Sequence, residues 1–115
     1  MKLHNSTAEI FVPAGKPVEH ALKQVKHLGI GAHQDDLEFM AFHGILAGHF
    51  AGVTCTNGSG SARTGKFANF TDAQMMAVRR QEQNRAAELG RYEVMFQLDY
   101  PSAAVKSATD TSLRD

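Results

Sequence analysis

"LGIGAHQDDLEFMAFHGILAGH", Leu28 to His49, is the stretch on which the reading of the whole chain turns. It begins within a continuous apolar run, His27 to Ala32, of the length expected for a central parallel strand covered on both faces. From Asp36 the period changes. Leu37, Met40, Ala41, Gly44, Ile45 and Gly48 follow the i, i+3, i+4, i+7 spacing of one helix face. Phe39, Phe42, Leu46 and Phe50 form a second apolar stripe, which predicts a helix buried on two sides. Between strand and helix stand His33, Asp35 and Asp36. Adjacent carboxylates repel, so their place at a strand end calls for a capped helix start or for a positive group.

On the N-terminal side, "EIFV" (Glu9–Val12) reads as a short edge strand or extended arm stopped by Pro13 and Gly15, and Pro17 to Lys26 as a short helical turn. On the C-terminal side, "GVTCT" (Gly52–Thr56) is a β-branched strand followed by the polar, Gly-rich "NGSGSARTGKFANF". Thr71 or Asp72 caps a helix that runs to about Leu89 and stops at Gly90. "YEVMFQL" (Tyr92–Leu98) is a further strand, and "DYPSAAVKS" reads as loop. Alternating strands and helices predict βαβ units on a parallel sheet. The expectation is one α/β domain over residues 1–115, with an extended arm over about 1–16. So few elements make it thin. "TDTSLRD" looks like the cap and first turn of a further helix, which points to a chain truncated at its C-terminal side or completed by a partner.

Composition narrows the function. The 115 residues carry 12 basic and 12 acidic side chains, so no net field draws the chain to nucleic acid or an anionic membrane. No apolar run approaches the roughly 20 residues that span a bilayer, and the N-terminus lacks a signal-peptide core. One cysteine, Cys55, excludes an intramolecular disulfide and fits a reducing compartment. The expected location is cytoplasmic.

In open parallel sheets, ligands bind beyond the carboxyl ends of the strands. His33 and Asp36 are three apart across a tight strand-to-helix turn, so their side chains can converge on one point. Imidazole plus carboxylate suits Zn²⁺, or Fe²⁺ and related ions. Asp35 lies beside them without needing to bind the metal, where a carboxylate can take a proton from an activated water. The competing reading is an ordinary N-cap aspartate beside a strand-end histidine. His43 is two helical turns past Asp36, roughly 10 Å along the axis, too far to share one ion. His43 and His49 are expected to be partly buried on the helix.

"GSARTGKF" (Gly60–Phe67) approaches a phosphate-binding loop, but Phe67 stands where the magnesium-binding hydroxyl belongs. "GIGAHQ" has Gln34 where a dinucleotide fingerprint needs its last glycine. On the second long helix, Met75, Val78, Ala86 and Leu89 mark the expected buried stripe, with Glu82 on it and Arg79 able to pair with Glu82. Asp99, just past the last strand, reads either as a turn residue or as a substrate hydrogen-bonding group.

"GIGAHQDDLEF", then "VTCTNGSGS", then "RRQEQNRAAELG" together resemble the PIG-L/LmbE-like family of metal-dependent N-deacetylases. The family's A-H-P-D-D motif, T-x-G-type loop and R-x-x-E-x-x-x-A-A helix appear in order over roughly Leu28 to Ser102. The resemblance implies a Rossmann-like three-layer fold and hydrolysis of an N-acyl, commonly acetyl, group from an amino-sugar-type substrate. It implies His33 and Asp36 as metal ligands, Asp35 as general base and Arg79 as a substrate-binding residue. Gln34 stands in place of the family's proline, and no downstream histidine motif supplies the third ligand. The partners expected are therefore a small N-acetylated sugar-type substrate and, because the domain is thin, a second copy of the chain in a homo-oligomer. A reading of another class makes the chain a catalytically incomplete remnant whose apolar helix serves as an oligomerisation or interaction surface.

Overall fold

The computed structural model of the chain describes residues 1–59, 65–106 and 109. Its elements run β1 (Glu9–Phe11), α1 (Val18–Gln24), β2 (His27–Gly31), α2 (Asp36–Met40), α3 (Phe42–Ala47), β3 (Phe50–Thr56), α4 (Asp72–Leu89), β4 (Val94–Tyr100) and α5 (Ser102–Lys106). The result is a small α/β domain on a four-stranded mixed sheet of order β1-β4-β3-β2. β2, β3 and β4 are mutually parallel, and β1 adds to β4 antiparallel, with Ile10 opposite Phe96.

Period-2 alternation gives the sheet two different faces. On one, Ala51, Val94 and Phe96 pack with Ala21 of α1, joined by Ile10, Leu22 and Val53. On the other, Phe50 and Met95 pack with Leu37 of α2, Ala87 of α4 and Tyr92. The Phe50 and Tyr92 rings meet edge-on at 4.8 Å between centroids.

Four features differ from the sequence expectation. First, β2 is not central but an edge strand among the described residues: it pairs there with β3 alone, and Leu28 and Ile30 remain 60% and 62% exposed. Its inner face carries Gly29 and Gly31 after His27, and the two glycines let the helix layer descend. A Cβ on Gly29 would sit 2.7 Å from Phe50 Cζ and 3.0 Å from Leu37 Cδ2. Second, the single long helix is two short ones, interrupted at Ala41. With the sheet on one side only, no described residue covers the second apolar stripe: Phe39, Phe42 and Leu46 are exposed, and Phe50 belongs to β3. His43 and His49 are exposed as well. Third, the buried stripe of α4 keeps the expected Met75 but then runs through Gln83 and Ala87, while Val78 and Ala86 are half-buried and Leu89 is exposed. Fourth, "PSAAVKS" contains α5 rather than loop alone. The start of α4 matches its sequence signal. Thr71 forms a capping box, accepting from the Gln74 N–H at 3.2 Å while Gln74 Oε1 accepts from the Thr71 N–H at 2.8 Å. The "TDTSLRD" expectation falls outside the described residues except Thr109.

Candidate functional site at the carboxyl end of the second strand

After Gly31 the chain turns sharply into α2. Gly31 makes the turn possible, because a Cβ there would approach Asp36 Cβ to 3.0 Å. Asp36 closes the turn from inside: its Oδ2 accepts from the His33 N–H at 2.9 Å. The same oxygen lies 3.6 Å from His33 Nδ1, and both side chains are partly open to solvent. The imidazole and the carboxylate thus converge at the strand end. That spacing is short enough for both to reach one divalent ion at about 2.0–2.2 Å each. Among the described residues no group of three His, Cys, Asp or Glu side chains is arranged to hold a metal ion, so a third protein donor is not found there.

Asp35, the residue before α2, is held in the left-handed region at φ 71°. Its side chain caps nothing, so the simple N-cap reading does not describe it. Its backbone N–H instead donates to Gln83 Oε1 at 3.2 Å. Partial burial raises the Asp35 carboxyl above its ordinary range; Glu82 and Glu38 add to this, as Asp36 does more weakly, while Arg79 opposes it. Arg79 and Glu82 of α4 therefore face Asp35 electrostatically, and they pair with each other at 2.8 Å.

Behind this turn lies a buried polar layer that apolar periodicity does not mark. Gln83 is fully buried, and its Nε2 donates to Glu38 Oε1 at 3.2 Å. The Tyr92 hydroxyl donates to the same oxygen at 2.7 Å. Burial and that bond to Glu38 push the Tyr92 phenol up. Gln34, which stands where the resembling family has proline, donates through Nε2 to the Thr56 carbonyl at 2.9 Å and so ties the turn to the end of β3. Glu38 Oε2 and the hydroxyls of Thr54 and Thr56 are buried with no hydrogen-bond partner among the described residues. A glutamine in "EQNRAAELG" carries no apolar signal, which is why Gln83 is invisible to periodicity.

The other expected site residue lies elsewhere. Asp99 sits on an irregular stretch of β4, where the pairing with β3 shifts register, and has φ 65°. Its Oδ1 accepts from Arg80 Nη2 at 2.8 Å, and Arg80 also reaches Glu9 Oε1 at 3.1 Å. The strand order puts β3 between β2 and β4, so Asp99 stands about 10 Å from the end of β2 by strand spacing. The structure thus brings His33, Asp35, Asp36 and Arg79 to one neighbourhood and leaves Asp99 in a separate ion-pair cluster. Of the glycine-rich loop, Arg63 lies outside the described residues, and Lys66 is exposed with its ammonium 5.2 Å from the Phe67 ring centroid. Cys55 is partly buried, and burial raises its thiol.

Comparison of the chain with protein-family models, curated proteins and solved structures finds no match. Among the described residues, no helix is long and apolar enough to cross a membrane.

Proposed function

We propose that the chain is a metal-dependent hydrolase that removes an N-acyl group, acetyl above all, from an amino-sugar-type substrate in the cytoplasm, on a Rossmann-like arrangement of its sheet and helices. The observation that carries this reading is the 3.6 Å approach of His33 Nδ1 to Asp36 Oδ2, next to a carboxyl whose proton affinity is raised. His33 and Asp36 would hold the ion, Zn²⁺ or a related divalent metal such as Fe²⁺. When bound, such an ion polarises the amide carbonyl and makes water more acidic. Asp35 takes a proton from the attacking water and returns it to the leaving amine. A raised pKa suits that exchange, since a general base works best when its pKa lies near the operating pH. Arg79, steadied by Glu82, orients polar groups of the substrate beside Asp35.

The test is metal content by mass spectrometry on protein purified without chelators, beside His33→Ala and Asp35→Ala. About one ion per chain is expected, lost in His33→Ala and kept in Asp35→Ala, with acetate release from N-acetylated amino sugars lost in both. Absence of stoichiometric metal from the unaltered chain would overturn the reading. A specific observation favours the second reading, a catalytically incomplete chain acting as an interaction domain: no third donor joins the pair among the described residues, and large apolar side chains stand exposed on β2 and α2.

A further inference from the structure

We infer that two copies of this chain pair antiparallel through β2, joining their sheets across a two-fold axis at Gly29. This holds whether or not the metal site is catalytic.

The two edges of the sheet are built differently. β1 is three residues long, carries Glu9 in an ion pair with Arg80, and runs into Pro13. Charge, brevity and proline are the usual means by which an edge is protected from pairing. β2 has none of these. It contains no proline, Lys, Arg, Asp or Glu, and its two large side chains, Leu28 and Ile30, project from one face into solvent.

The backbone is set for addition of a strand. The His27 N–H donates to the His49 carbonyl at 3.2 Å, while the next carbonyl of β3, that of Phe50, turns to the other side and accepts from the Glu93 N–H at 2.8 Å. Odd-numbered residues of β2 therefore direct their backbone groups to β3, and Leu28 and Ile30, on either side of Gly29, direct theirs to the open side. Gly31 is buried under the turn that carries His33 and Asp36, so the free edge is centred on Gly29.

That centre is self-complementary. In an antiparallel pair about Gly29, the two Gly29 residues face each other across the axis in the non-hydrogen-bonded position, where the absence of a side chain lets the strands approach. Leu28 of each copy then stands opposite Ile30 of the other and exchanges both backbone hydrogen bonds with it, with their side chains side by side on one face. Four exposed aliphatic side chains meet on one face. The ends are complementary in charge as well. Exposed Lys26 and His27 begin the strand, Asp35 and Asp36 follow it, and antiparallel pairing sets the basic end of each copy beside the acidic end of the other. Two-fold symmetry closes the contact and consumes the edge, so the assembly stops at a dimer. The contact is smaller than the roughly 800 Å² per partner of a standard interface, so association in the micromolar range or weaker is expected.

The experiment is sedimentation equilibrium of the full chain over about 5–500 μM. The mass should rise from the monomer's 12.5 kDa toward twice that value. Ile30→Lys puts a charge at the centre of the pair and should weaken association by about ten-fold or more. Leu89→Lys, at an equally exposed leucine on α4, should leave it unchanged. Should Ile30→Lys fail to fold by circular dichroism, oxidative cross-linking decides. Chains carrying Leu28→Cys mixed with chains carrying Ile30→Cys, both in a Cys55→Ala background, should form a mixed disulfide in preference to Leu28→Cys pairing with itself. A monomer at every concentration, equal weakening by Leu89→Lys, a dimer indifferent to Ile30→Lys, or cross-linking without that preference would overturn the proposal.

Discussion

β4 and β2 are parallel strands of one sheet, both written in apolar residues, yet they meet opposite fates. β4 lies between β1 and β3, and Val94, Met95, Phe96 and Gln97 are all buried. Among the described residues β2 has one neighbour, and it exposes Leu28 and Ile30. The difference lies in how bulk is distributed over the two faces. In β4 both faces are large: Met95 meets Leu37, Ala87 and Tyr92, while Val94 and Phe96 meet Ala21. In β2 one face carries Gly29 and Gly31 after an exposed His27, and the side chains of Leu37 and Phe50 fill the space the glycines leave. Leu28 and Ile30 supply the bulk on the other face, outside the cluster around α1. Apolarity says that a strand gains from burial; the sizes of alternating side chains say which face the surrounding chain covers.

The largest effect expected from this contrast is in the cores. Met95→Ala should lower the unfolding free energy by about 2–5 kcal/mol, because it removes a fully buried side chain and leaves a cavity between layers. Ile30→Ala should cost less than about 1 kcal/mol at concentrations where the chain is monomeric. Urea unfolding of the two variants side by side measures both, and equal losses would break the comparison. Gly29→Ala comes next. Its new methyl would press on Phe50 Cζ and Leu37 Cδ2, and overpacking of this kind costs about 1–3 kcal/mol. β2 would then be tightly held on its inner face while open on its outer one. A Gly29→Ala variant as stable as the unaltered chain would mean that the helix layer over β2 yields freely.

The comparison extends to the ends of the two strands, both anchored by α4. Asp99 at the end of β4 is held by Arg80, and Asp35 beyond β2 is held through its backbone by Gln83. Gln83→Met keeps the volume and removes both hydrogen bonds, to the Asp35 N–H and to Glu38. A loss of about 1–2 kcal/mol is expected, together with faster amide exchange over residues 33–38. Stability and exchange unchanged from the unaltered chain would show that Gln83 does not hold the turn.

How much of this was legible in the sequence depended on whether a feature was local. The Thr71 cap, the glycine after α4 and the convergence of His33 with Asp36 follow from residues a few positions apart, and periodicity and turn chemistry reach that far. The place of β2 at the edge was not legible, since HLGIG is compatible with any position in a sheet, and strand order is set by what pairs on either side. The break at Ala41 was hidden for a related reason: two apolar stripes on one helix imply two covering surfaces, and the fold provides one. The candidate site was half legible. The turn that carries His33, Asp35 and Asp36 is encoded in sequence order. The buried network of Gln83, Glu38 and Tyr92 behind it joins residues 45 and 54 positions apart through polar groups that no apolar pattern marks.

The smallest expected effect separates the two aspartates themselves. Both have positive φ, but Asp99 is ion-paired with Arg80, whereas burial, with Glu82 and Glu38 nearby, raises the Asp35 carboxyl. A carboxyl raised in the folded state favours folding where it is protonated, below its ordinary value of 3.8. That contribution is lost as the pH climbs through the higher folded value. At pH 7 the ionised Asp35 is therefore a small burden on the metal-free fold. Asparagine carries no charge, tolerates the left-handed backbone and sacrifices no cap, since the Asp35 side chain makes none. Asp35→Asn should raise the metal-free melting temperature at pH 7 by about 1–3 °C, a gain kept small by the exposure of the side chain. The gain should shrink toward zero as the pH falls to about 3, where the carboxyl is already neutral. Asp99→Asn should do the reverse at pH 7 and lower the melting temperature, because it removes the charge that faces Arg80. Thermal melts of both variants across that pH range measure the contrast, and a destabilised Asp35→Asn at neutral pH would mean that the Asp35 charge has a favourable partner in the fold after all.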